Sequence, residues 1–337
     1  MSAGTSRAGG RVLELVAPRE LRVVDRPVPE PGEGEVRVRL RAVGICGTDV
    51  HGYLGRIDSF PMTLGHDAVG TLDAIGPGVD TTIPLGARVT IDPALACGEC
   101  ASCLAGLPQV CTRGGYLGMT DPGVMTDYLT VPAARVVPVP DEVSDAAATV
   151  LEPVAVALHL LERIGGFAPP GRPAHVIGGG PLGVLLGQTL QASGWKVTVH
   201  EPQEYRRAIA AACGLGVARE AADREQAAGP VLIVETSAAA AGIEVARGLA
   251  APGSVIALVG RAPAEFTSAE ILLKELTVLG VRAGSGQYPA AIALVASGAV
   301  TPTETITHRF PLDEAAAAFA AVTDPAERVM RAVLIAS

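Results

Sequence analysis

From Val12 to about Val139 the chain alternates apolar and polar positions in short runs, among them Val36-Arg37-Val38-Arg39-Leu40 and Ala87-Arg88-Val89-Thr90-Ile91, broken by proline and glycine. A period of two with frequent breakers predicts a β-rich region. Around Ser144 the texture becomes an alanine-rich helical pattern, and from Ala174 short apolar runs begin to alternate with helical ones. This alternation predicts a parallel sheet. Its strands are expected at His175-Val176-Ile177, 197–199, 231–234, 255–259 and 277–281. Helices are expected at 182–192, closed by Gly194, and at 204–213, closed by Gly214, since glycine suits a helix terminus. After Thr301 the strand pattern returns at 306–310 and 331–335, so the C-terminus is expected to rejoin the first region.

The stretch from Pro173 to Trp195 carries no Asp, Glu, Lys or Arg. Its Gly-Gly-Gly-Pro interruption and its Gln and Ser residues fit a buried strand, turn and helix rather than a membrane span. A chain of 337 residues exceeds the usual size of a single core, so two domains are expected. Hydrophobic residues make up 49% of the chain and aromatic ones only 3%, which assigns the packing to Ala, Val, Leu and Ile. The formal charge of -9 and the lack of a basic cluster exclude a nucleic-acid surface. Residues 1–10 hold one arginine and no apolar run. They read as a disordered leader, with a cytoplasmic location as the default.

Four of the six cysteines, Cys97, Cys100, Cys103 and Cys111, fall within one short stretch. Four thiolates at this spacing can wrap a tetrahedral zinc and saturate it, which makes the loop 97–111 a structural metal site closed to substrate. A catalytic zinc instead keeps one position open, so its ligands are sought among dispersed residues. Cys46 in Gly44-Ile45-Cys46-Gly47-Thr48-Asp49-Val50-His51 and His66 in Leu64-Gly65-His66-Asp67 form a candidate pair. Glu152 in Leu151-Glu152-Pro153 is a third candidate. Taken singly, these residues also fit a core cysteine, a turn histidine and a helix-start carboxylate.

Gly178-Gly179-Gly180-Pro181-Leu182-Gly183 fits Gly-x-Gly-x-x-Gly directly after an apolar strand and at the start of a helix. In that context Gly178, Gly180, Pro181, Leu182 and Gly183 are expected to admit a pyrophosphate to the helix N-terminus. Glu201 closes the next expected strand, where a carboxylate accepts the ribose hydroxyls of NAD and repels the 2′-phosphate of NADP. Arg206 and Arg207 follow at a helix start, where such arginines are more often solvated; Arg206 is counted with Glu201 among the candidate cofactor-binding residues. NAD is therefore favoured over NADP.

In their order along the chain these motifs resemble the zinc-dependent medium-chain dehydrogenase/reductase family, and the exchange of a second cysteine for Glu152 resembles its polyol, sorbitol and threonine dehydrogenase branch. The resemblance runs from about Val12 to Ile335. It implies an α/β protein: a GroES-like β-rich catalytic domain at 11–155, a doubly wound Rossmann domain for NAD at 156–296, and a return to the catalytic domain at 297–337. It also implies two zinc ions per subunit, with the catalytic one in the cleft between the domains, and a homodimer or homotetramer joined through the edge strand near 277–281. The catalytic zinc ligands are then Cys46, His66 and Glu152. Asp67 stands where the family usually has glutamate and is an alternate ligand or a partner of the ligands.

By the same resemblance the chain is an enzyme that passes a hydride between a secondary alcohol and NAD. The substrate would be a polyol, sugar, cyclitol or amino alcohol, and the product its ketone. Bound zinc lowers the pKa of the alcohol, Thr48 hydrogen-bonds the substrate oxygen, and His51 ends a proton relay at the solvent edge. Tyr53, Phe60 and Met119 are expected to line the substrate pocket. Gly280-Val281-Arg282-Ala283 and Thr307-His308-Arg309-Phe310-Pro311-Leu312 resemble sorbitol dehydrogenases. Arg282 stands one residue before the usual arginine position, held here by Ala283, and on a strand that shift would change faces. Alternatives are an alcohol dehydrogenase for simple alcohols or aldehydes, a zinc-free reductase of the same fold, and a nucleotide-binding relative without catalysis. The zinc-free reductases lack the cysteine and histidine constellation.

Overall fold

The computed structural model describes residues 9–57, 59–166, 171–219, 229–263 and 265–336. The chain divides into two compact units, Met1–Leu151 with Ile306–Ser337, and Glu152–Thr305. These divisions fall at 151/152 and 305/306, where the family resemblance implies 155/156 and 296/297. The segment after the helix Tyr288–Ala296 stays with the second unit because Val300 is buried there and Gln188 Nε2 donates to Thr301 Oγ1 at 2.9 Å.

In the first unit the strand Glu35–Gly44 is central. It pairs antiparallel with Asp67–Ile75 on one side and with Tyr128–Pro132 and Ala332–Ile335 on the other. Val36, Val38, Leu40 and Ala42 are buried in alternation with more exposed arginines, which is the period of two that the sequence carries. The C-terminal return is completed by His308–Pro311, parallel to Ala332–Ile335. Helices were not foreseen here, yet Gly47–Tyr53, Ala101–Leu104 and Ala315–Thr323 all pack in this unit. The expected leader ends earlier than read. Gly10 already begins the strand Gly10–Ala17, which is fixed by Arg11 donating to both carboxylate oxygens of Asp127 at 2.9 Å. Residues 1–8 of that leader lie outside the described residues.

The second unit is a six-stranded parallel sheet of Pro173–Ile177, Lys196–His200, Gly216–Ala218, Leu232–Glu235, Val255–Leu258 and Thr277–Gly280. Numbered along the chain, these strands lie in the order 3-2-1-4-5-6, the doubly wound arrangement. Its switch point lies between Pro173–Ile177 and Leu232–Glu235, where such sheets bind ligands at their carboxyl ends. The uncharged stretch is a buried strand, a glycine loop and the helix Pro181–Ala192, with Pro181 in the first turn. Gly216–Ala218 was not foreseen, because three residues including a glycine leave no periodicity to read. No helix among the described residues is long and apolar enough to cross a membrane.

Candidate active site: two metal centres and a nucleotide loop

Cys46 precedes the helix Gly47–Tyr53, and His66 precedes the strand Asp67–Ile75. One buried carboxylate ties the two segments together: Asp49 Oδ2 accepts the Cys46 N–H and Oδ1 accepts the Gly65 N–H, both at 2.8 Å. Gly65 adopts φ +95°, and a Cβ there would press on Met125 and Val124 at 3.0 and 3.1 Å, so glycine lets the His66 loop turn inward. The result is a donor set: the metal-binding atoms of Cys46, His66 and Asp67 lie within 4.8 Å of one another.

Asp67 is held from its other side. Arg331 Nη2 donates to Asp67 Oδ2 at 2.5 Å and to the Thr149 carbonyl at 2.8 Å. It passes over Gly44, where a Cβ would lie 2.1 Å from the same nitrogen. Asp67 Oδ1 and His66 Nδ1 remain buried without hydrogen-bond partners among the described residues, and buried polar atoms are seldom left so. Burial alone would lower the His66 pKa, but Asp67, Cys46 and Asp49 outweigh it and raise it well above the ordinary value. Such a pocket suits a cation, and the unpartnered atoms with a thiol and an imidazole fit zinc.

Glu152 lies in the second unit, in the first turn of the helix Leu151–Ile164, and is 9% exposed. Thr48 and His51 are half-buried and three residues apart on Gly47–Tyr53, so they share one face. Tyr53, expected in the pocket, is 7% exposed and packs in the core against Phe319, with ring centroids 4.9 Å apart. Phe60 and Met119 are half-buried.

The cysteine loop has a geometry of its own. Sγ atoms of Cys97 and Cys103 lie 3.9 Å apart, Cys100 and Cys103 3.5 Å, Cys100 and Cys111 3.7 Å, and Cys97 and Cys111 3.4 Å. A tetrahedral zinc with Zn–S bonds of about 2.3 Å sets sulfur–sulfur edges of about 3.8 Å. Backbone N–H groups of Cys97 and Gly114 point at Cys111 Sγ, and that of Cys100 at Cys97 Sγ. Such donors favour thiolates, and the Cys103 and Thr112 backbone holds Cys100 down to about 5. Burial and the neighbouring thiols push Cys103 up to about 11. The four sulfurs therefore fit a closed, structural zinc.

In the second unit Gly178 takes φ +101°, and a Cβ on Gly183 would stand 1.9 Å from the Gly178 carbonyl oxygen. Gly180 caps the helix Pro181–Ala192 with no side-chain hydrogen bond and with open space over it. The cradle that results fits a pyrophosphate. Glu201 is 3% exposed, and its two oxygens accept the Gly179 and Gln203 N–H groups at 2.8 Å each. Arg206 is half-buried rather than solvated, because its guanidinium lies over the Tyr205 ring at 5.6 Å and 3.9 Å from Glu201. Arg207 donates to the carbonyls of Glu201 and Pro202. The segment Val281-Arg282-Ala283 lies beyond the strand Thr277–Gly280, so the expected alternation of faces does not apply to it. Arg282 is exposed, and Ala283 takes a left-handed φ of +53°.

Sequence reasoning singled out Cys46, His66, Asp67 and the glycine loop but missed Asp49 and Arg331. Asp49 had a local signal, a carboxylate at the third helical position that reaches back to the cap N–H. Arg331 had none.

Comparison with known proteins supplies independent findings. Residues 32–141 match the alcohol dehydrogenase GroES-like domain and residues 181–297 the zinc-binding dehydrogenase domain. The chain is 31% identical to the starvation-sensing protein RspB of Escherichia coli K12, over 89% of this chain and 91% of that one. It is 32% identical to the 2-dehydro-3-deoxy-L-galactonate 5-dehydrogenase of Pseudoalteromonas atlantica (91% and 93%). It is also 32% identical to the sorbitol dehydrogenase of Gallus gallus (93% and 93%). The crystal structure of the alcohol dehydrogenase RspB from E. coli CFT073, complexed with NADH, superposes with a TM-score of 0.89 at 29% identity, covering 98% of this chain and 100% of that one.

Proposed function

The chain belongs to the zinc-dependent medium-chain dehydrogenase/reductase family, in its polyol and threonine dehydrogenase-like branch, and from this premise we propose which residues perform its chemistry and on what. The enzyme is an oxidoreductase that moves a hydride between an alcohol and a nicotinamide dinucleotide. The observation that carries the assignment of Cys46, His66 and the alternate Asp67 is their convergence on one small volume, with two buried polar atoms that lack hydrogen-bond partners among the described residues; Glu152 enters on the family resemblance. Cys46 and His66 hold the catalytic zinc, with Glu152 as third ligand and Asp67 as its alternate. Cys97, Cys100, Cys103 and Cys111 hold the structural zinc.

A zinc held by Cys46, His66 and a carboxylate would make the alcohol's proton easier to lose, and a nicotinamide in the glycine cradle would supply the hydride acceptor. The chain's own residues do the rest. Thr48 orients the substrate hydroxyl through its Oγ1. His51, on the same helix face, passes the proton to solvent, a task its side chain suits near neutral pH. The Glu201 carboxylate disfavours a 2′-phosphate, and Arg206, drawn toward that carboxylate, is not free to offset it, which makes NAD rather than NADP the cofactor. Gly178, Gly180, Pro181, Leu182 and Gly183 form the pyrophosphate cradle.

The substrate is a secondary alcohol of a polyol, sugar, sugar acid, cyclitol or amino alcohol. We place the enzyme in the cytoplasm, where the thiols of the cysteine loop stay reduced. It pairs with a second copy of itself through the edge strand Thr277–Gly280, beside which Leu272 and Leu273 are 75% and 82% exposed. Sedimentation at several concentrations checks the pairing, with a dimer or tetramer expected and a monomer overturning it. The function itself is tested by offering the zinc-loaded enzyme a panel of polyols, sugar acids and amino alcohols with NAD and NADP and following reduced nicotinamide. Turnover with NAD is expected. Intact NADH binding with no turnover on any alcohol would establish a nucleotide-binding relative without catalysis.

A further inference from the structure

Glu235 ends the strand Leu232–Glu235 at the carboxyl side of the sheet, next to the switch point, and is fully buried. Its Oε1 accepts the backbone N–H of Ser237 at 2.7 Å and also the Ser237 hydroxyl. Its Oε2 is buried with no hydrogen-bond partner among the described residues. Burial raises its pKa, and the hydrogen bonds from Ser237 and from the Ala238 backbone N–H offset only part of that rise. A fully buried carboxyl costs stability, and the donors that offset the cost all come from the turn at Ser237 and Ala238, so its place is tied to that turn.

Ser237 supplies that reason, because it is the residue on which Gly178 rests. A Cβ at Gly178 would stand 2.9 Å from both the Cα and the N of Ser237. Thr236 completes the contact: its N–H and hydroxyl each donate to the Ile177 carbonyl at 2.9 Å, and the hydroxyl also reaches the Gly178 carbonyl at 3.1 Å. Two further glycines leave room for the carboxyl. A Cβ at Gly260 would lie 2.6 Å from Glu235 Oε2, and one at Gly242 would lie 2.8 Å from Oε1. The first glycine of the nucleotide loop thus leans on a turn whose conformation is set by one buried side chain.

We propose that Glu235 is a positioning residue for the dinucleotide, holding Gly178 and the pyrophosphate loop in their accepting conformation through Ser237. This rests on the reading of that loop as the nucleotide site. Calorimetric titration of NADH into the zinc-loaded wild type, Glu235→Ala, Glu235→Gln and Ser237→Ala tests it, with kcat and the KM for NAD measured alongside. Glu235→Ala should weaken NADH about tenfold, the size expected when hydrogen bonds to a charged acceptor are lost, and raise KM with kcat little changed. Glu235→Gln keeps the accepting oxygen and should restore most of the affinity. Ser237→Ala, a change at an exposed residue that folding tolerates, should weaken binding by a smaller factor and keeps the test open if Glu235→Ala does not fold.

Wild-type affinity in both Ser237→Ala and Glu235→Ala overturns the inference, as does a glutamine variant no better than the alanine one. A wild type that binds neither NADH nor NADPH instead overturns the nucleotide reading, and this inference with it.

Discussion

Replacing Arg331 with methionine strands Asp67. The side chains of the pair are 3% and 0% exposed, and Arg331 Nη2 is shared between Asp67 Oδ2 and the Thr149 carbonyl, so its loss leaves a buried carboxylate and a buried carbonyl short of a donor. Breaking such a buried pair from one side costs about 3–5 kcal/mol, against a total stability of about 5–15 kcal/mol for a domain. The loss belongs to the first unit. Urea unfolding of the metal-stripped protein can resolve it, because the single tryptophan, Trp195, lies in the second unit and its fluorescence gives an internal control while circular dichroism follows both. The double variant Asp67→Asn with Arg331→Met should recover part of the loss, since no charge remains stranded. Loading zinc adds a second comparison. If Asp67 Oδ1 faces the metal, the ion takes over the role of the missing cation and the penalty shrinks; if Glu152 is the ligand instead, the penalty persists. A cost below about 1 kcal/mol for the single variant, or a double variant no more stable than it, would refute the reasoning.

The two metal centres should empty independently: Cys46→Ala removes one zinc per subunit and abolishes turnover, whereas Cys100→Ser removes the other and leaves the Cys46 site loaded, as metal analysis of each variant will show. His51→Gln should lower kcat by about a hundredfold at low pH, the low end for a positioned proton-transfer group, and much less at high pH, so an unchanged pH profile counts against the relay. The Arg11 and Asp127 pair gives an acid limit. Burial alone would raise the Asp127 pKa, but hydrogen bonds from Arg11 more than offset it and leave it below the ordinary 3.8. Its contribution is then complete above that value and is lost as pH falls through the lower folded pKa, a loss that Asp127→Asn should remove from the acid-denaturation profile.

The cysteine cluster and the glycine loop stand out in the sequence because each gathers its residues into one short stretch. Cys97 to Cys111 needs no tertiary knowledge to suggest a tetrahedral site, and Gly178 to Gly183 needs only the strand before it and the helix after it. Period-two burial in Glu35–Gly44 was legible for the same reason, being local. What failed was whatever depended on distant chain. The left-handed Ala283 sits past the end of its strand, so a face argument built on continued extension had no basis there. Tyr53 reads as a pocket aromatic from its neighbourhood in sequence, but Phe319 arrives from far along the chain and takes it into the core.

The residues that sequence missed have a common character. Asp49 joins the Cys46 and His66 segments, Arg331 reaches Asp67 across 264 positions of chain, and Glu235 sets the turn under Gly178. None needs to touch a ligand. Each holds in place a loop whose own motif is plain in the sequence, and each does so with a buried charged group whose partner is mostly backbone or distant. Motifs mark the atoms that meet the substrate, the metal or the cofactor, because chemistry restricts residue type there. The supporting charges are restricted by geometry, which appears only once the chain has closed. Substitutions at the supports should therefore register first as lost affinity for zinc or nucleotide and lost stability, and those at Thr48 or His51 first as lost turnover.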